Sequence, residues 1–153
     1  MDASKRYTTI HYHDYLGLDK ILDAQQLRSA VLEKKPAHEE MLFIITHQAY
    51  ELWFKQVIHE LDSVLDMFHE KTLDVRDMGT VIIRLDRVVE IVNLLVQQIK
   101  IMETMTPLDF LDFRNYLFPA SGFQSFQFRM IENLLGLHEK SRLTYNNYHY
   151  AVV

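Results

Sequence analysis

His38-Glu39-Glu40-Met41-Leu42-Phe43-Ile44-Ile45-Thr46-His47-Gln48-Ala49-Tyr50-Glu51-Leu52-Trp53-Phe54-Lys55-Gln56 opens a stretch that stays helical in pattern to about Phe68. Within it Phe43, His47, Tyr50, Phe54, Val57, Leu61, Val64 and Phe68 alternate steps of four and three, the spacing of one helix face. Leu42, Ile45, Ala49, Leu52 and Trp53 make the first half apolar on its other sides too, so that half is expected to be deeply buried and His47 to lie in dry surroundings. Glu39 and Glu40 fall in the first turn, where the helix dipole favours negative charge.

Upstream, a shorter helix is expected over residues 17 to 34, ended by Lys34-Lys35-Pro36-Ala37, because the residue before proline avoids the α region. Downstream, Val81, Leu85, Val88, Val92, Leu95, Ile99 and Met102 mark a helix from about Met78 to Glu103, expected to pack antiparallel to the first long one. Thr106-Pro107-Leu108-Asp109 combines an N-cap, a proline at the first helical position and a carboxylate in the first turn, which predicts a helix through Tyr116. Phe118-Pro119-Ala120 ends it. Ser121-Gly122-Phe123-Gln124 is a capping box, expected to open a helix through about Lys140. Residues 143–150 read as irregular and tyrosine-rich. No strand pattern competes, so the fold class is all-α: a bundle of long antiparallel helices with short connecting ones, in a single domain.

Composition narrows the function classes. With no cysteine there is neither a disulfide framework nor a thiolate ligand or nucleophile, as suits a reducing compartment. A net charge of -5 with both signs interspersed lacks the basic footprint of a nucleic-acid binder. Four glycines, at 17, 79, 122 and 136, form no dinucleotide fingerprint or phosphate loop. No membrane span or apolar leader is legible, and a cytoplasmic location is expected. The Glu-x-x-His signature of a carboxylate-bridged metal bundle is missing; its nearest relative, Asp66-x-x-His69, reads as a solvated helix end, and His11 with His13 makes a weak metal pair.

Two features invite a chemical reading. An isolated inward-facing histidine such as His47 is ordinarily a core side chain satisfied by one or two hydrogen bonds, although its aromatic neighbours are unusual. Arg114, seven residues before Ser121, either pairs with Asp109 or Asp112 on the surface or combines with the free N–H groups after Ser121 to grip a carboxylate. Phe123, Phe126, Phe128 and Met130 at helical spacing read as core.

The segment from His38 to Gln56 closely resembles tryptophan 2,3-dioxygenases. The resemblance returns at Tyr12-His13-Asp14-Tyr15-Leu16, at Glu103-Thr104-Met105-Thr106-Pro107-Leu108-Asp109-Phe110, and from Asp112-Phe113-Arg114 through Pro119-Ala120-Ser121-Gly122-Phe123-Gln124-Ser125, covering about residues 9 to 150. It implies an all-α, homotetrameric enzyme with haem b and its iron. Such enzymes insert both atoms of dioxygen across the indole C2–C3 bond of L-tryptophan to give N-formylkynurenine, the first step of tryptophan catabolism by the kynurenine route. By resemblance His47 is the distal, catalytic histidine contacting the indole N–H, Phe43 packs on the indole and the cofactor, and Arg114 binds the substrate carboxylate. Ser121 and Gly122, with Phe110 and Leu117, lie beside the haem, while Tyr12, Tyr15 and Leu16 close the pocket of a neighbouring subunit. Some positions depart from the family pattern: His13 stands for a usual glycine, Phe118 for a common serine, and Phe110 where some members carry tyrosine.

In the family the iron's proximal histidine comes from a later part of the chain, so residues 1–153 are expected to be the N-terminal portion of the domain, with no metal ligand of their own. Two other readings follow the same residues: a helical binding or oligomerisation module of this fold without catalysis, and a different axial ligand such as His138 or His149.

Overall fold

The computed structural model describes residues 9–33, 35–70 and 74–143. Lys34, the N-terminal Met1–Tyr7 segment, the tyrosine-rich stretch from Thr144 and His149 within it therefore lie outside the described residues. The chain runs α1 (Tyr12–Leu16), α2 (Leu18–Leu22), α3 (Arg28–Glu33), α4 (His38–His69), α5 (Val75–Met102), α6 (Pro107–Leu117) and α7 (Phe126–Leu134), with 3-10 turns at Gly122–Gln124 and Glu139–Ser141. No strand occurs among the described residues.

The frame is an antiparallel pair. α4, with 32 residues, extends about 48 Å and α5 returns along it for 28. Their register is set by three cross-links. Tyr50 donates its phenol to the Leu95 carbonyl at 2.5 Å, Arg87 meets Glu60 at 2.7 Å, and Arg84 donates to the Ser63 carbonyl at 3.4 Å. Between them Val57 and Leu61 pack on Val88, Ile91 and Leu95, and α7 adds Ile131. Each such buried aliphatic side chain contributes about 2 kcal/mol, so Leu61→Ala alone would remove a large part of the margin.

Several expectations change here. The predicted burial of the first half of α4 is overturned: apart from Glu40, its buried residues, Val57, Glu60, Leu61 and Val64, all lie in the second half. Ile45 and Leu52 are exposed. On α5 the buried residues are Val81, Val88, Ile91 and Leu95, whereas Leu85, Val92 and Ile99 are partly exposed, as are Ile82, Ile83, Val89 and Val96. The helix also starts earlier than Met78, since Asp74 accepts the Arg76 N–H and Asp77 answers the Asp74 N–H in a capping box.

The single helix expected over 17 to 34 is two pieces. α2 stops at Leu22, where Gln25 turns back to donate to the Ile21 carbonyl at 2.8 Å. The helix expected from Ser121 to Lys140 is likewise divided. Its capping box closes only a 3-10 turn; Ser125 then caps α7 by accepting from Phe128 N–H at 3.1 Å, and Gly136, at φ +68°, halts the chain in a conformation that side-chain-bearing residues avoid. α7 buries Arg129, Ile131 and Glu132, while Phe126 and Phe128, expected in the core, are exposed.

Candidate functional site

Phe43 and His47 stand one turn apart on α4 with ring centroids 4.1 Å from each other. Phe43 is backed by Phe110 and Phe113 of α6, at 5.9 and 5.5 Å, and Phe113 is completely buried. This aromatic wedge seats α6 on α4 and holds Phe43 at the edge of two adjoining clefts. One, of about 570 Å³, lies between Ala24, Gln26, Arg28 and Glu40 and the turn Ala120-Ser121-Gly122, with Leu117 in its wall. The other, of about 610 Å³, is lined by Tyr50, Phe54, Ile99, Met102, Phe128 and Arg129. Phe43, His47, Ser121 and Gly122 line both.

His47 is not the enclosed core residue that its sequence setting suggests. It is exposed, and its Nδ1 lies 2.7 Å from the Phe43 carbonyl oxygen. A carbonyl can only accept, so Nδ1 carries the proton, and in the neutral ring Nε2 is left as an acceptor. The wall thus presents one oriented hydrogen-bond acceptor beside a phenylalanine face.

Arg114 is exposed on α6 and makes no ion pair or hydrogen bond with any described residue. Asp109, one of the partners considered for it, is occupied by the α6 cap: Thr106 donates to it through both hydroxyl and backbone N–H, which holds the Asp109 carboxyl below the usual range. Arg114 does not line either cleft, although Leu117, one turn further on, does. Phe110 sits behind Phe43 rather than in the wall. Tyr12, Tyr15 and Leu16 are not brought to the clefts of their own chain. α1 packs on α2, and the two tyrosines are 74% and 73% exposed. His138 is exposed and accepts the Lys140 N–H through Nδ1 at 3.4 Å, well outside this wall.

Two features bear on a cofactor. A Cβ placed on Gly122 would meet no atom of the described residues within 4 Å and its φ is not positive, so the cleft is open at this turn and a flat ligand can approach the backbone closely. Arg129, only 6% exposed, lies 2.8 Å from Glu132 and 4.9 Å above the Phe128 ring. Its Nε has no hydrogen-bond partner among the described residues and Glu132 Oε2 is not aligned to accept, so the guanidinium retains donor capacity beside the larger cleft. These residues fit a planar apolar group carrying carboxylates, which is the chemistry of haem. Among the described residues no three His, Asp or Glu side chains gather as a metal site.

Sequence reasoning missed three elements of this region: Arg129 with Glu132, the buried Glu40, and the tie from Gln127 to Glu51, whose carbonyl and carboxylate it reaches at 2.8 and 2.7 Å. Glu40 was discoverable, since it continues the Phe43–His47 face one turn back. Among the described residues no helix is long and apolar enough to cross a membrane.

The family model of tryptophan 2,3-dioxygenase matches residues 2–153. Tryptophan 2,3-dioxygenase of Bdellovibrio bacteriovorus is 56% identical over 141 residues, 92% of this chain, and that of Anopheles gambiae is 57% identical over 135 residues, 88% of it. The chain spans 39% and 34% of the length of these two relatives. With a family match over nearly its whole length and relatives 56% and 57% identical to it, the chain belongs to the tryptophan 2,3-dioxygenase family.

Proposed function

We propose that this chain forms the distal, substrate-binding side of a haem-dependent dioxygenase that opens the indole ring of L-tryptophan to N-formylkynurenine. The observation that carries the reading is the Phe43–His47 pair: an oriented Nε2 acceptor next to an aromatic face, on the wall of clefts sized for a small ligand. In this reading the indole stacks on Phe43 and donates its N–H to His47 Nε2, which places the C2–C3 bond without any proton leaving the ring. Arg114 grips the substrate carboxylate through paired N–H donors. Ser121 and Gly122 give the cofactor its close approach, with Leu117 and Phe110 in apolar support, and Arg129 answers its carboxylates. Haem b, when bound, supplies the redox chemistry of dioxygen. The protein's own work is to bind, orient and exclude water, since no residue on this wall has to shuttle a proton.

The enzyme is read as a cytoplasmic homotetramer in which Tyr12, Tyr15 and Leu16 cover a neighbour's pocket; their exposure on α1, and the outward apolar residues of α5, support an assembled state. The test is direct. Joined to the portion that supplies the proximal histidine, the haem-loaded protein, given L-tryptophan and air, forms N-formylkynurenine and does not when oxygen is withheld. Assembly without turnover or tryptophan binding would favour the non-catalytic module instead.

A further inference from the structure

Glu40 has no part in the reaction described above, yet it is the most completely enclosed charged side chain near the cleft, with 0% exposure. Its Oε1 accepts the Arg28 N–H at 2.7 Å, and its Oε2 accepts the Ser29 N–H at 3.0 Å together with the Ser29 hydroxyl. The Ser29 oxygen in turn accepts the Ala37 N–H at 2.9 Å. Arg28 and Ser29 open α3, so these are donors that a helix start leaves unpaired, and the preceding residue, Leu27, has no side-chain acceptor to cap them. A carboxylate from another helix does so instead. A dipole role alone would leave Glu40 in water, as it leaves the partly exposed Glu39.

A second tether lies two turns further along α4. Gln48 donates to the Ala24 carbonyl at 3.2 Å and accepts from Gln25 at 2.6 Å. Residues 24–29, which form one wall of the smaller cleft, are thus fastened to α4 at Glu40 and at Gln48, and the two fastenings bracket Phe43 and His47. α3 also packs on α6, where the Glu33 carboxylate beside Tyr116 raises its phenol pKa, and α6 carries Arg114. We propose that Glu40 is a positioning residue for substrate binding, latching segment 24–29 so that the cleft keeps the width at which Phe43 and His47 meet one ligand. This rests on the functional reading above.

The test compares wild-type holoenzyme with Glu40→Gln, which keeps the shape but turns an amide N–H₂ toward backbone N–H groups that Glu40 now accepts from. Loss of about one such hydrogen bond predicts roughly a tenfold rise in KM for L-tryptophan, with kcat held within about twofold. The Soret band without substrate stays in place. Hydrogen exchange at the Arg28 and Ser29 amides accelerates at least about tenfold, with Leu61 and Val88 unchanged. Faster exchange with an unaltered KM overturns the positioning role, and unaltered exchange overturns the latch itself. If Glu40→Gln does not fold, Ser29→Ala, which removes one donor to Oε2 and the acceptor for Ala37, gives the same directions in smaller measure, and no change in either readout is refuting. A wild-type protein that fails to bind tryptophan sinks the functional reading, while the exchange experiment still decides the latch.

Discussion

Replacing Arg87 by methionine removes the cation that faces Glu60 across the α4–α5 seam. The pair is asymmetric: the Glu60 side chain is 4% exposed and the Arg87 side chain 52%. Burial alone would raise the Glu60 pKa, but hydrogen bonds from Arg87 at 2.7 Å and Gln56 at 2.6 Å, with the Arg87 charge, outweigh it and hold the carboxyl below its ordinary value. Without Arg87 a buried carboxylate keeps only Gln56. Breaking a fully buried pair costs roughly 3–5 kcal/mol, and with Arg87 half in water about 2–3 kcal/mol is expected. That is a 30- to 150-fold change in the folding equilibrium, and about 1 M in the urea midpoint for a slope near 2 kcal/mol per molar. Glu60→Gln leaves a half-solvated guanidinium and is expected to cost under about 1 kcal/mol.

The pH dependence separates the two further. In the wild type the folded pKa lies below the unfolded one, so the contribution of Glu60 is complete above the carboxylate range and fades as pH falls through the folded value. In Arg87→Met burial is opposed only by the Gln56 hydrogen bond and the His59 charge, so the folded pKa rises relative to the wild type and less stability is lost as the pH falls. The gap between the two proteins therefore narrows from pH 7 toward pH 4. Urea unfolding followed by circular dichroism at fixed protein concentration measures both effects. Equal losses for Arg87→Met and Glu60→Gln, or a gap that widens in acid, would refute the argument.

Other expectations concern the clefts. His47→Ala removes the acceptor for the indole N–H and should lower kcat/KM about tenfold without abolishing turnover, read by steady-state kinetics. Arg114→Ala should raise KM for L-tryptophan ten- to a hundredfold, as loss of a charge-assisted contact worth roughly 1.5–3 kcal/mol implies; an unchanged KM would contradict the clamp. Gly122→Ala adds a Cβ that meets no atom of the described residues within 4 Å, so thermal stability of the haem-free protein should hold while the haem bound per chain, read from the Soret absorbance, falls.

The two long helices were legible because their apolar spacing runs for many turns and one face of each is used over most of its length. Finer assignments failed where a second face was apolar too. On α5 the residues Leu85, Val92 and Ile99 satisfy the helical period as well as Val81, Val88 and Leu95 do, and only packing against α4 tells them apart. At both ends of the chain the apolar period runs past the true helix bounds, because Asp23 and Gln25 close α2, Ser125 starts α7 and Gly136 halts it through local hydrogen bonds and backbone conformation that periodicity does not register. The site followed a similar rule. Phe43, His47, Ser121, Gly122 and Leu117 share the cleft walls, but Glu40 and Arg129 owe their place to partners distant in sequence or to burial of a charge, which composition argues against.

The spans of chain closed by these contacts also differ in length, and this orders assembly. Arg84 reaches back 21 residues, Arg87 27 and Tyr50 forward 45, whereas Gln127 must find Glu51 across 76. Closing a loop costs more entropy as it lengthens, and contacts near in sequence form first. The α4–α5 hairpin is therefore the early folding unit, and the turn that carries Ser121 and Gly122 arrives with α7 afterwards. The wall bearing Phe43 and His47 exists before the cleft does, and any ligand of both walls acts late, by drawing α7 onto a scaffold already made.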